Sequence, residues 1–473
     1  MEISQILELR KKIHPIGQLI IISSIILFIC GSLRHALYQS TAWDLGIFDQ
    51  AIYLISQGKP PYSTLIDFHI LGDHGAFIFY PLAIFYKIHP SVHWLFAIQA
   101  ISLSIGALPL WYLGLNAGLK ETQAFAIAVV YLLYPVIFNV NLFDFHPDVI
   151  ALPAIFAAIL AARLNKLGWF IGAIILILSC KAALSLTVAA MGVWLLIFEK
   201  KRLYGIICIV TGVIWFIVAT EIIMPYFGGE LATLSRHIPR YEHLGKDYEE
   251  MLKNLLFQPI LYLKSIFSLA NLWYLILLFA PIAWGLSWQH LAPLVAAIPI
   301  FAMNCLSILD AQKDLIHQYS LPILPFLLLA VISSLAAGKA RLQTQKYIIL
   351  WAVVCFVALA KFGYFWSRYL DNVDTWQATR HGVALVKHTK GGVYTTASIV
   401  PHLSQREMIQ FTEARVPPKN FDAFDSILVD IRHPGWQSNS EYAIDLVNKL
   451  NKDKQFNLSY EKDDVFLFSR IKK

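Results

Sequence analysis

From Ser265 to Leu309 the chain runs without a single Lys, Arg, Asp or Glu. One helix needs only about 20 mostly apolar residues to cross a bilayer. This stretch is too long for one helix and divides near Trp288–His290. Similar runs recur along the chain. Candidate spans are residues 15–33, 92–113, 123–140, 149–163, 167–180, 184–198, 203–223, 265–287, 291–309, 319–337 and 347–366. Residues 76–88 are apolar but too short to cross, and read as an interfacial or re-entrant piece. Only 15% of the 473 residues are charged, against about 25% in a soluble domain. The fold class is therefore mainly α, a polytopic helical membrane domain of about eleven spans.

Charge sets the orientation. Arg10, Lys11 and Lys12 precede the uncharged run Pro15–Leu33. The outline is that of a signal peptide, but the run is long enough to span and no small-residue cleavage site follows, so a retained first helix is expected. Lys and Arg in short loops mark the cytoplasmic side. Alternation then puts Lys120 and the turns 163–166, 199–202 and 339–346 inside. It puts 34–75, 141–148, the Lys181 turn, 224–262 and 310–318 outside. The net charge of +7 sits largely in such loops and gives no reason to expect nucleic acid. After residue 368 charges become frequent and apolar runs shorten. Residues 369–473 read as a small soluble α/β domain on the outer side, after a membrane domain at 1–368. Strands are expected at 391–396, 425–430, 456–461 and 464–469, and helices at 372–389 and 440–451.

Most acids and histidines fall in the expected outer loops. In "TAWDLGIFDQ", Asp44 and Asp49 lie five apart among large apolar residues. That spacing does not stack them on one helical face, so they are no acid/base dyad. Asp44 can cap the helix that follows. Alternatively, one of the two is a general base at the membrane surface. In "FDFHPD", Pro147 and the flanking acids suit a helix start. Asp144, His146 and Asp148 also suit hydroxyl groups or a divalent cation. With His69 or His74 added, zinc or manganese fits; carboxylates alone suit magnesium. Lys181 either snorkels from a helix end or meets a phosphate. Arg236 and Arg240 flank Pro239 and suit bidentate phosphate binding. His317 and Tyr319 lie in "DLIHQYS". The chain has no P-loop, Rossmann fingerprint, GxSxG or HExxH. Its five cysteines lack metal-ligand spacing and read as small core residues.

Several of these motifs occur in one order: "WDLGIFDQA", "LFDFHPD", the "YF.GG" and "RY..LG" pieces, "HQYSLPILPFL" and "PHLSQR". Together, over about residues 35 to 470, they resemble a bacterial polytopic membrane protein family of unknown function. That family is grouped with the GT-C superfamily of polyprenyl-phosphate-dependent glycosyltransferases. The resemblance implies an inner (plasma) membrane protein with a periplasmic or extracellular C-terminal domain. It implies transfer of sugar from a polyprenyl-phosphate carrier to an acceptor, by inversion, with Asp44 or Asp49 as base. Asp144, His146, Asp148, His317 and Tyr319 would then orient substrate, and Lys181, Arg236 and Arg240 would hold phosphate. In the family the lysine is commonly followed by two acids, whereas here Ala182 and Ala183 follow Lys181. Two further classes fit the same residues: a transporter or flippase of lipid-linked sugars, and a non-catalytic membrane scaffold.

Overall fold

The computed structural model describes residues 3–232 and 234–471; for residues 3–14, 231 and 234–236 it describes the backbone alone. Five helical stretches are long and apolar enough to cross a membrane: Pro15–Ala36, His93–Asn116, Glu121–Asn141, Arg202–Gly228 and Asp310–Ala336. Two bent pairs, Pro259–Ile266 with Leu269–Gly285 and Gln345–Leu359 with Lys361–Leu370, raise the number to seven. The expected eleven spans are not confirmed. Segments 149–163, 167–180, 184–198 and 291–309 do become helices, but short ones. Leu167–Cys180 and Leu184–Ile197 have 14 residues each, or ~21 Å at 1.5 Å per residue, short of a ~30 Å hydrocarbon core. Asp148–Arg163 has 16 residues, most of them buried inside the protein. Hydropathy reports an apolar environment, and the interior of a bundle is as apolar as lipid.

Helices Leu184–Ile197 and Arg202–Ile217 form a tight hairpin built on glycine. A Cβ on Gly192 would lie 2.7 Å from the Gly205 carbonyl oxygen, and one on Gly205 would lie 2.8 Å from that of Gly192. Small residues let helix backbones approach where no hydrophobic drive exists between helices and lipid. At the turn, Arg163 makes a two-point contact with Glu199 (3.0 and 2.8 Å), and Lys201 donates to Asn165 Oδ1 at 2.7 Å. Two of the basic turns assigned to one side of the membrane are thus joined.

Between residues 393 and 470 lies a five-stranded sheet. The strands are β3 (Val393–Thr395), β4 (Ile409–Phe411), β5 (Ser426–Asp430), β6 (Phe456–Lys462) and β7 (Val465–Arg470), after a short pair β1 (Tyr62–Ser63) and β2 (Phe68–His69) in the first loop. The order is β4-β3-β5-β7-β6, with β3 parallel to β4 and β5, and β7 antiparallel to β5 and β6. All five residues of β5 are buried. Helix Ser440–Lys452, capped by Asn439, buries Ala443, Leu446, Val447 and Leu450 in one cluster with Ile427 and Val429. Leu428 points the other way, against helix Trp376–Lys387 near Gly382. That second face belongs to the same continuous core as the membrane helices.

The sheet is fastened to the first loop by polar contacts. Asp49 accepts from Tyr86 Oη (2.6 Å), Ser404 Oγ (2.7 Å) and Gln405 Nε2 (3.3 Å). Gln50 Nε2 donates to the carbonyls of Arg406 and Glu407, both at 3.3 Å. Thr64 Oγ1 donates to Ile409 O at 2.6 Å. Gly46 permits the approach: a Cβ there would meet Val400 Cγ1 at 2.9 Å.

Two outcomes test this packing. Gly192→Ala should destabilise the protein in detergent by about 1–3 kcal/mol, the usual cost of overpacking. Gly172→Ala, with nothing within 4 Å of its Cβ, should leave the thermal midpoint unchanged. Equal midpoints would contradict the glycine contact. Asp49→Ala strands three donors, each worth about 1–3 kcal/mol when unsatisfied. Amide exchange over residues 401–409 should then accelerate on the order of tenfold or more. Unchanged exchange there would mean that Asp49 does not hold the sheet.

Candidate functional site

The first helix ends at Ala36 and the chain re-enters helix at Ile47. Between them, Ala42–Gly46 forms a π-turn, with Gly46 N donating to Thr41 O at 3.2 Å. Such wide turns are rare and concentrate at functional sites. This one carries Trp43 and Asp44. The capping expectation for Asp44 is not met, because Gly46 is the N-cap of helix Ile47–Ser56 and no side chain caps it. The Asp44 carboxylate turns instead to His146, with Oδ1 3.2 Å from Nε2.

His146 is 1% exposed and held from both sides. Its backbone N–H donates to Gln99 Oε1 at 3.3 Å, and its Nδ1 lies 3.4 Å from Asp144 O. Both ring nitrogens therefore face oxygens. Asp144 takes φ = +112°, a conformation rare outside glycine that costs about 1–3 kcal/mol. Its side chain explains why the strain persists. One carboxylate oxygen is ion-paired to Arg34, at the end of the first helix. The other accepts from Thr41 N (3.0 Å) and Thr41 Oγ1 (3.3 Å). Arg34 also donates to Gln39 O.

Asp44 and Asp49 sit in opposite environments. Burial pushes Asp44 up, but the charge and hydrogen bond of His146, with His74 beyond, more than offset it and hold the carboxyl below the usual range. Its side chain is 23% exposed. Burial pushes Asp49 up; hydrogen bonds from Tyr86, Ser404 and Gln405 pull against this without reversing it. Asp49 is completely enclosed.

Asp148 begins helix Asp148–Arg163, with Pro147 at the N-cap, as the turn motif led one to expect. Its carboxylate lies 3.2 Å from Lys181 Nζ, and that ammonium is 5.8 Å from the Tyr319 ring centroid. His317 pairs with Asp314 at 2.7 Å. Phe143 packs between the two histidine rings, 5.5 Å from His146 and 4.2 Å from His317. His317 lies 6.5 Å from Tyr319, centroid to centroid, so a chain of contacts runs from Asp44 through His146, Phe143, His317 and Tyr319 to Lys181 and Asp148. The Ala182 N–H donates to His74 O at 2.9 Å, tying the lysine turn to the first loop. Ala182 itself is buried with Ala219, Met224 and Ala232, surroundings that suit alanine rather than a carboxylate.

Other expected residues fall elsewhere. His69 accepts from Leu71 N at 3.2 Å and stacks on Phe227, while His74 pairs with Asp73. Among the described residues no three His, Cys, Asp or Glu side chains are grouped to hold a metal ion, so His69, His74 and Asp148 do not make the cation site considered from sequence. Arg240 is half-buried, with its carbonyl accepting from Ile308 N at 2.9 Å. Tyr241 beside it feels both Arg240 and Tyr319. The side chain of Arg236 lies outside the described residues. Arg34, Thr41, Gln99 and Phe143 were not singled out from sequence. Arg34 carried one signal, as the first charge after the uncharged run.

Comparison with solved structures places this geometry in a known fold. ArnT from Cupriavidus metallidurans bound to undecaprenyl phosphate is similar with a TM-score of 0.53 and 12% identity, over 95% of this chain and 98% of that one. The apo state of the same protein gives 0.52 and 12%, over 94% and 98%. The fold is like that of ArnT. No curated protein matches in sequence. Residues 34–467 match a family described as predicted membrane protein (DUF2079), and the chain belongs to that family.

Proposed function

We propose that the protein is a membrane glycosyltransferase that moves a sugar from a polyprenyl-phosphate carrier to an acceptor hydroxyl on the outer face of the inner membrane. The observation that carries this reading is the connected group running from Asp44 to Lys181. It joins an ionised, partly open carboxylate to an ammonium within a fold like that of ArnT, which has been solved with undecaprenyl phosphate. Residues 1–368 would be the membrane domain and 369–473 a soluble domain on the outer side.

In this mechanism Asp44 takes the proton of the acceptor hydroxyl. The oxygen attacks the anomeric carbon, the bond from that carbon to the phosphate oxygen breaks, and configuration inverts. The lipid phosphate leaves with the bonding pair, and Lys181 stabilises its charge. Arg240, and Arg236 with it, supply further positive charge. His146 keeps Asp44 oriented and ionised, and Asp148 holds Lys181. His317 and Tyr319 line the path between them. Asp49 fastens the C-terminal domain and is not the base.

Asp44→Asn should abolish transfer from a polyprenyl-phosphate sugar, with expression and thermal midpoint unchanged, because the amide keeps size and loses basicity. Full activity in Asp44→Asn would overturn the mechanism. The lowered Asp44 pKa fixes a sign: as pH falls, activity should persist to a more acidic pH than an unperturbed aspartate base would allow, and be lost when Asp44 is protonated. Lys181→Ala removes a charge-assisted bond worth roughly 1.5–3 kcal/mol. Binding of undecaprenyl phosphate in nanodiscs should weaken on the order of tenfold or more; unchanged affinity would take Lys181 out of the phosphate site.

A further inference from the structure

Beside Asp44 stands an aromatic cluster that the mechanism does not use. Trp43 lies 5.5 Å from Trp436 and 6.5 Å from Phe411, centroid to centroid, and Phe411 lies 5.9 Å from Trp436. Trp43 is 47% exposed and Trp436 46%, whereas Phe411 beneath them is 9% exposed. Large apolar rings left open in this way mark binding surfaces. Among the described residues neither indole N–H has a hydrogen-bond partner, so both can donate to a ligand.

The position in the sheet points the same way. Phe411 is the last residue of β4, and Trp436 lies in the loop that follows β5. Both are at the carboxyl end of the parallel strands, where open α/β sheets bind ligands. The loop is held firmly. Gly435 has φ = +81°, and a Cβ there would come within 3.0 Å of Thr396 Cγ2 at the end of β3. Ala414 N donates to Gln437 O at 2.9 Å. Other exposed tryptophans of this protein differ: Trp169 and Trp273 stand on apolar helices, not paired across the first loop and the sheet.

We propose that Trp43, Phe411 and Trp436 form a platform on which a pyranose ring stacks, next to Asp44. This inference rests on the glycosyl-transfer reading. A pyranose has one face of C–H groups and a rim of hydroxyls. The indole faces cover the C–H groups, and their N–H groups donate to the rim. The ring belongs either to the lipid-linked donor or to the acceptor.

The test is saturation-transfer NMR of full-length protein in nanodiscs, with methyl pyranosides of gluco, galacto and manno configuration. Wild type should transfer saturation to the ring C–H protons of at least one of them. Trp43→Leu and Trp436→Leu should weaken binding about tenfold, and Trp43→Phe should keep most of it. A membrane-anchoring tryptophan would tolerate leucine as well as phenylalanine, so equal behaviour of Leu and Phe variants overturns the platform. So does absence of saturation transfer in wild type. The source is read by adding undecaprenyl phosphate. Pyranoside binding that survives a bound carrier assigns the platform to the acceptor. A gain in affinity of carrier-linked hexose over bare carrier, lost in Trp43→Leu, assigns it to the donor. Carrier binding without any pyranoside signal removes the platform and leaves the transferase reading intact, whereas loss of both removes that reading too.

Discussion

The buried pair between Arg34 and Asp144 fixes the geometry of the site. Arg34 closes the first helix, and Asp144 sits in the turn before helix Asp148–Arg163. Removing one partner of a buried pair leaves an uncompensated charge, at a cost of about 3–5 kcal/mol. The pair holds Asp144 in its left-handed backbone conformation. That conformation presents the Asp144 carbonyl to His146, and its carboxylate anchors Thr41 just before the π-turn. Asp44 and His146 therefore meet because two segments a hundred residues apart are pinned by one contact.

On the proposed reading, the two acids of the first loop divide the work between chemistry and assembly. Asp49 faces inward and ties the loop to the "SQR" segment, Ser404–Arg406. Asp44 faces the connected group that ends at Lys181. On the proposed reading, the same short segment fastens the C-terminal domain and supplies the base. The domain would then set the shape of the acceptor side without contributing to proton transfer.

The motifs were legible in the sequence because polar residues are conspicuous in an apolar chain. Asp44, His146, Asp148, Lys181, His317 and Tyr319 were all candidates, and the structure groups them. Their separate surroundings were not legible. Asp44 and Asp49 lie five positions apart, a spacing that keeps them off one helical face but does not say that one meets His146 and the other the sheet contact. The strands at 425–430 and 464–469 were visible as apolar runs of strand length. β4 was not, because Ile409–Phe411 is three residues long and takes its place from pairing with β3. Eleven spans are not confirmed, because several of the apolar segments fold as helices of 10–17 residues. Arg34 was passed over because its partner lies 110 positions away.

The central claim is that a lipid phosphate is held beside Asp44 by Lys181. The most direct measurement is a cryo-EM map of the protein in nanodiscs containing undecaprenyl phosphate. The account predicts phosphate density within hydrogen-bond reach of Lys181 Nζ, on the side facing Asp44 and Tyr319, with the polyprenyl tail running among the helices. Phosphate density at another place in the protein, with Lys181 still paired only to Asp148, would contradict it.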